Sequence, residues 1–196
     1  GQRIDVRVRT DDTISQIFLE IYRVRSPGDE DSELIVEWAE PWERSITYDA
    51  RATGQYLLRV QPELMAGGAV EVSVTVGPSL AFPVEGRSTA NVLSFFGDIR
   101  EGGSRDHHGV DIFAPRGTPV RAATDGTVYR VEVTNLGGKV VWVRDRGGRQ
   151  RQYFAHLDSQ MVQTGQIVRA GDVLGLVGNT GNARTTPPHL HFGVYI

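Results

Sequence analysis

The sequence predicts an all-β protein of two domains, an N-terminal β-sandwich followed by a second, antiparallel β-rich domain. Composition is the first observation behind this, because 23 Gly and 9 Pro among 196 residues favour turns and short strands over long helices. The second is that short apolar runs alternate with turn residues along the whole chain. An apolar fraction of 39% is enough to fill packed cores.

Strand candidates fill most of the first half of the chain. Residues 2–9 alternate cleanly, with Ile4, Val6 and Val8 on one face, which is the pattern of a half-buried strand. Further apolar runs follow, and turn residues separate each run from the next. Together they predict a small β-sandwich, with additional strands at 17–24, 34–38, 44–48, 54–60 and 69–76.

Two features of this half allow a functional interpretation beside a structural one. Residues 26–31 form an acidic loop, and the stretch 29–33 lacks the spaced ligands and central Gly of a calcium loop, so we expect a solvated turn. Trp38 and Trp42 are expected in the core, as large aromatic residues of small sandwiches usually are. The alternative for the two tryptophans is an exposed platform for a ligand.

A domain boundary is predicted near residue 79, where Gly77-Pro78-Ser79 ends the last of these strands. We therefore assign residues 1–79 to the sandwich and 80–196 to the second domain. Asp125-Gly126, Gly137-Gly138 and Gly147-Gly148 are hairpin signals in this second half. Its predicted strands are 120–123, 126–133, 139–144, 150–154, 167–168, 172–177 and 190–196.

Charge and composition exclude several classes of function. A formal net charge of −3 gives no electrostatic reason to expect a nucleic-acid partner. No apolar run approaches the roughly 20 residues of a transmembrane helix, and no signal peptide opens the chain. The absence of Cys removes disulfides, thiolate metal sites and Cys nucleophiles, which leaves His and carboxylate as the strong metal ligands.

The histidines predict a metal site in the second domain, since all five lie between 107 and 191. His189 and His191 are two apart on an apolar strand, so both side chains point to the same face. His107 and Asp111 are four apart, and a bend at Gly109 would let both converge on one ion. Two imidazoles and one carboxylate are a set that catalytic zinc uses, with a fourth position for water. Periodicity does not say which histidine of the final strand binds the metal.

His156 ends an aromatic strand segment and completes the group of chemically active side chains. Alone, such a histidine is usually a packed or surface residue. Beside a metal it becomes a candidate to orient water or to stabilise an oxyanion.

Three motifs, in this order and spacing, resemble the zinc-dependent peptidoglycan endopeptidases of the lysostaphin and LytM type, peptidase family M23. Supporting phrases occur at 114–120, 123–128, 168–172 and 177–182. The three motifs are His107-His108-Gly109-Val110-Asp111, Tyr153-Phe154-Ala155-His156-Leu157 and Pro188-His189-Leu190-His191-Phe192.

This resemblance, which covers residues 82–196, implies roles for the site residues. It implies Zn²⁺ held by His107, Asp111 and His191, with His156 and His189 as the catalytic pair. It further implies peptides of bacterial peptidoglycan as substrate and an extracytoplasmic location, either periplasmic or secreted. The first domain resembles, more loosely, the β-sandwich accessory domains beside secreted bacterial peptidases.

The sequence also departs from the family pattern, and two other functions are open. The segment 184–188 replaces the usual Ser/Thr-Gly-Pro lead into the final strand, no His follows Val143, and His108 matches no functional position. A non-catalytic wall-binding or amidase-activating protein of the same fold would be expected to lack ligand residues, whereas none is missing here. A purely structural zinc would want four protein ligands, and only three converge.

Overall fold

The computed structural model describes residues 1–11, 13–25, 33–100, 103, 105–148 and 150–196. Within these ranges the regular structure is β-strand, with 3₁₀ turns at Thr89–Asn91 and Gly181–Ala183 and no α-helix. The all-β prediction is therefore confirmed. The acidic segment 26–31 lies outside the described residues. The chain divides into two compact units, Gly1–Ser79 and Leu80–Ile196.

The strands of the first unit form two antiparallel sheets. One sheet has the order β4-β1-β6 and the other β3-β2-β5, counted over the described residues. The core of the unit consists of buried aliphatic side chains such as Val6, Leu19 and Ile46. The strands are β1 (Gln2–Thr10), β2 (Ile17–Val24), β3 (Glu33–Trp38), β4 (Ser45–Ala50), β5 (Gln55–Pro62) and β6 (Val70–Pro78).

The expectation that Trp38 and Trp42 lie in the core is wrong, because their exposed fractions are 65% and 70%. Simple alternation places Trp38 on the same face as Val36, which packs against the core. The β2–β3 pairing shifts register between Ile21 and Tyr22, so alternation fails within β3. Trp38 therefore points away from the core.

The second unit contains the larger sheet. In the part of the chain that is described, its strands follow the order β15-β12-β13-β14-β17-β10-β7, and β16 joins β11 to β14. The strands are β7 (Val92–Ser94), β8 (Ile99–Arg100), β9 (Arg105–Asp106), β10 (Val110–Phe113), β11 (Pro119–Arg121), β12 (Gly126–Thr134), β13 (Gly138–Asp145), β14 (Arg151–Gln160), β15 (Ile167–Val168), β16 (Val173–Val177) and β17 (His189–Tyr195).

The turn signals of this unit were predicted correctly in two of three places. Gly137-Gly138 joins β12 to β13, and Gly147-Gly148 lies between β13 and β14; both strand pairs are antiparallel neighbours. Asp125-Gly126 does not form a hairpin, because β11 before it pairs with β16, not with β12. In the sheet, β16, β14 and β13 therefore lie between β11 and β12.

One core supports the whole second unit and extends to the residues next to the histidines. It includes Ile112, Phe154, Leu157 and Leu190, each at most 1% exposed. On β10 and β17, Ile112 and Leu190 alternate with the site residues, so these two strands pack on the core with one face and present the other face to the site. No helix among the described residues is long and apolar enough to cross a membrane.

Candidate metal centre and catalytic histidines

The register of β10 and β17 brings a carboxylate and two imidazoles onto one face. Asp111 lies directly opposite His191, and Phe113 lies opposite His189. Because residues two apart on a strand share a face, Asp111, His189 and His191 all point to the same side. The ring of Phe113 stacks on His189 with centroids 5.0 Å apart. The strand pair expected from the sequence is thus completed by a carboxylate from its neighbour.

His107 reaches this cluster from the segment that precedes β10. Its Nε2 lies 3.0 Å from Asp111 Oδ1 and 2.9 Å from His191 Nδ1, and His191 Nδ1 lies 3.0 Å from Asp111 Oδ1. His107 and Asp111 are buried, with 5% and 6% of their surface exposed. The structure therefore brings together three potential ligand atoms, one from each residue.

The contacts of His107 define which of its nitrogens faces the cluster. Its Nδ1 lies 2.8 Å from the carbonyl oxygen of Phe95, which can only accept, so Nδ1 carries the proton. Ser94 Oγ lies 3.2 Å from the same nitrogen. In the neutral ring Nε2 then holds a lone pair that points at the carboxylate oxygen of Asp111. A cation shared by these atoms removes the repulsion between the two lone pairs, so the residues fit a metal ion.

Gly109 is required by the close approach of the backbone to His191. A Cβ at this position would lie 2.5 Å from the carbonyl oxygen of Phe192 and 2.8 Å from His191 Nε2. The bend predicted at Gly109 is therefore also the point where the 107–111 segment touches β17. A side chain there would displace one of the three ligand atoms.

His156 occupies an unusual backbone conformation. Its φ of +63° lies in the left-handed region, which is rare for residues with a Cβ and is found at functional sites. β14 pairs with β17 as far as Ala155 and with β16 from Leu157 onward, and its ladder with β13 shifts register between Phe154 and Leu157. The strand is thus bent at His156, whose ring lies 5.0 Å from that of His189 between centroids.

Backbone carbonyls also orient the two histidines outside the ligand set. His156 Nδ1 lies 2.9 Å from the carbonyl oxygen of Thr180, and His189 Nδ1 lies 2.9 Å from that of Pro187. Each Nδ1 must donate, which leaves both Nε2 atoms available to a ligand in the neutral rings. His189 Nε2 lies 4.0 Å from Asp111 Oδ1.

The segment that supplies these carbonyls is anchored by side chains. Thr180 Oγ1 donates to the carbonyl of Leu157 and accepts from the N–H of Lys139, both at 2.9 Å. Asn179 Nδ2 donates to the carbonyls of Arg184 and Thr186, and Asn179 Oδ1 accepts from Arg116. One segment, residues 179–187, therefore fixes both histidines.

The surroundings of Asp111 keep its carboxylate ionised, which favours binding of a cation. Burial alone raises the pKa of Asp111, but the hydrogen bond from His191 and the electrostatic attraction of the imidazoles of His189, His107 and His191 outweigh it and lower the pKa to about 2. Burial, together with the charge of His189, lowers the pKa of His156 to about 4. At neutral pH the carboxylate is ionised and His156 is uncharged.

His108 lies apart from this cluster. It is exposed, its ring contacts Phe96 edge-on at 6.0 Å, and its carbonyl accepts a hydrogen bond from Tyr195. Sequence reasoning did not identify Phe95, Thr180 or Pro187, because they act through backbone carbonyls and carry no side-chain signal. The phrase at 177–182 was the available indication that this segment belongs to the site.

Two histidines and a carboxylate with two further histidines beside them are the arrangement of a hydrolytic metal centre. The profile of peptidase family M23 matches residues 105–196. The L-Ala--D-Glu endopeptidase of Bacillus subtilis is 41% identical over 123 residues, which are 59% of this chain and 37% of that protein. The peptidoglycan DD-endopeptidase ShyC of Vibrio cholerae is 40% identical over 86 residues, 44% of this chain and 19% of that protein.

The solved structure of LytU is similar in fold as well as in sequence. It shares 38% identity with a TM-score of 0.50, over 53% of this chain and 72% of that one. The chain belongs to peptidase family M23, a family of metallopeptidases. It spans well under half the length of the two curated relatives named above.

Proposed function

We propose that the chain is a zinc metalloendopeptidase that hydrolyses peptide bonds in the cross-links of bacterial peptidoglycan. The observation that carries this proposal is the triangle of His107 Nε2, Asp111 Oδ1 and His191 Nδ1, with sides of 2.9 to 3.0 Å. His107, Asp111 and His191 would hold the zinc. Bound there, zinc would lower the pKa of a water molecule to about 7 and polarise a carbonyl group.

We infer that His156 and His189 act as the catalytic pair, with their backbone contacts and the distance between their rings as support. His156 is uncharged at neutral pH and holds its Nδ1 proton on Thr180, so its Nε2 accepts a proton from the attacking water. His189, when protonated, donates from Nε2 to the carbonyl oxygen or to the leaving amine of the substrate. The carbonyls of Thr180 and Pro187 maintain both rings in the orientation that these transfers need.

Peptidoglycan is proposed as substrate from the names of the relatives. Those names specify different bonds, L-Ala–D-Glu in one and a DD-linkage in the other, so the bond cleaved by this chain needs to be identified from its products. A peptidoglycan substrate places the protein outside the cytoplasm, in the periplasm or secreted. A wall-binding protein without catalysis is the second candidate, and the complete set of five residues disfavours it.

Metal analysis and digestion of purified peptidoglycan test the proposal together. Replacing His107, Asp111 or His191 by Ala should remove zinc, whereas His108→Ala, the matched control, should retain it. His189→Ala should retain zinc and fold but lower peptide release by about 10² to 10⁴. If the zinc-loaded protein releases no peptides from any wall type, the endopeptidase proposal fails and the binding protein takes its place.

A further inference from the structure

The sheet β3-β2-β5 of the first unit packs one face against the core and exposes apolar side chains on its other face. In the β2–β5 ladder Glu20 pairs with Arg59 and Tyr22 with Leu57, and in the β2–β3 ladder Glu20 pairs with Trp38. Residues opposite each other share a face, and alternating residues of β2 such as Leu19 fill the core on the other side. We call this surface the outer face: Phe18, Glu20, Tyr22, Ile35, Trp38, Leu57, Arg59 and Gln61.

Aromatic and aliphatic side chains are exposed across this face. Trp38 has 65% of its surface exposed and Phe18 39%, and Ile35 and Leu57 are exposed to a similar degree as Phe18. Trp42 follows Pro41, whose carbonyl accepts a hydrogen bond from the N–H of Ile17 at 2.8 Å, so it lies at the end of the sheet where β2 begins. Grouped exposed aromatics on one sheet face are typical of a binding surface.

The two charged side chains of the outer face, Glu20 and Arg59, pair with each other. Glu20 Oε2 accepts hydrogen bonds from Tyr22 at 2.8 Å and from Arg59 at 3.2 Å. The Arg59 guanidinium also lies 5.0 Å from the centre of the Tyr22 ring. The ion pair cancels the charges but leaves hydrogen-bonding atoms at the surface, since half of the Arg59 side chain is exposed. A polyanion finds no unpaired cation in this group.

We propose that the outer face binds the glycan strands of peptidoglycan, a neutral polymer of N-acetylated amino sugars. The C–H faces of sugar rings pack on exposed aromatic rings such as Trp38, while hydroxyl and acetamido groups hydrogen-bond to Glu20, Arg59 and Gln61. The choice of this polymer rests on the proposed function, because the second unit would cleave peptides attached to the same strands. The first unit would then concentrate the peptidase on its substrate.

The test uses the full chain and two probes without peptide bonds, so hydrolysis does not interfere. One probe is insoluble glycan stripped of its stem peptides by an amidase, measured by co-sedimentation. The other is a soluble β-1,4-linked N-acetylglucosamine hexamer, measured by tryptophan fluorescence. The variants are Trp38→Ala, Trp38→Phe and the control Val74→Ala, which removes a 52% exposed side chain from the other sheet of the same unit.

Trp38→Ala should weaken binding to both probes by about tenfold, the effect of one aromatic contact, while Trp38→Phe retains most of the affinity and Val74→Ala all of it. Thermal unfolding should be the same in all four proteins. The proposal is overturned if the unmodified chain does not bind stripped glycan, or if Trp38→Ala binds it equally well. It is also overturned if sedimentation shows a dimer that Trp38→Ala dissociates, with no glycan bound.

Failure of the proposed function is detected separately, with soluble cross-linked stem peptides that contain no sugar. Cleavage of these peptides should be unchanged in Trp38→Ala. If they are not cleaved by any of the proteins, yet glycan binding depends on Trp38, then the endopeptidase proposal fails and the glycan-binding face stands.

Discussion

The metal-free protein should lose stability on acidification through His156, and the loss should be largest between pH 6.5 and pH 4. His156 is 8% exposed, and burial together with the charge of His189 lowers its pKa from 6.5 to about 4. Between those values the unfolded chain binds a proton at this residue and the folded chain does not. The contribution of His156 to the free energy of unfolding is therefore fully present above pH 6.5 and is lost as the pH decreases toward 4.

The expected size follows from the two pKa values. Each tenfold change in proton affinity is worth about 1.4 kcal/mol, so the decrease from 6.5 to about 4 corresponds to about 3 kcal/mol of unfolding free energy. The contribution of Asp111 has the same direction but a lower window, because its pKa is lowered from 3.8 to about 2. The two effects therefore separate along the pH axis.

His156→Asn is the variant that isolates this effect. Asn tolerates the left-handed backbone conformation at this position, and its side chain does not titrate. Urea unfolding of the EDTA-treated protein is followed by the fluorescence of Trp142, with Trp38 and Trp42 both replaced by Phe. The unmodified site should lose about 3 kcal/mol more than His156→Asn from pH 7 to pH 4. Parallel stability curves for the two proteins would refute the reasoning.

Three further outcomes are expected. Gly109→Ala should weaken zinc binding at least tenfold in a metal titration, because its Cβ would lie 2.8 Å from His191 Nε2; unchanged affinity would contradict the close approach. Asn179→Ala should lower peptide release about tenfold with zinc content retained, since it frees the segment that orients His156 and His189, and a loss of zinc instead would assign it to the metal site. Residues 80–196 should fold and bind zinc alone, because their core lies entirely within that range; an unfolded circular dichroism spectrum would show otherwise.

Much of the fold could be predicted from the sequence because side-chain alternation is a local property. The apolar residues Val6 and Val8 indicate a half-buried strand without knowledge of its partners, and both are buried. His189 and His191 point to one face for the same reason. Trp38 could not be placed in this way, since its face depends on a register shift in the ladder with β2, which no pattern within β3 indicates.

The sequence indicates which side chains form the candidate site, but it does not indicate the backbone conformation and the carbonyl contacts that orient them. The spacing of His107 and Asp111 and the pair on β17 identify the residues that converge. The left-handed conformation of His156 arises where β14 changes partners, which is a consequence of sheet topology. Tertiary contacts likewise decide that the carbonyls of Phe95, Thr180 and Pro187 meet the histidines. Because every residue type carries a carbonyl, no residue identity in the sequence indicates these contacts.

The anchoring of residues 179–187 separates the positions that orient His156 and His189 from positions that are free to vary. Thr180 and Pro187 are the two points at which this segment orients the histidines, and six residues lie between them. Gly181 and Ala183 are held by close contacts and burial, whereas Arg184, Thr185 and Thr186 are exposed, so substitutions at 184–186 leave both end points in place. This chain carries its departure from the usual family sequence partly within that interval, at 184–186. Residues 184–186 are therefore the natural place to exchange sequences with relatives when the specificity of the proposed activity is to be altered.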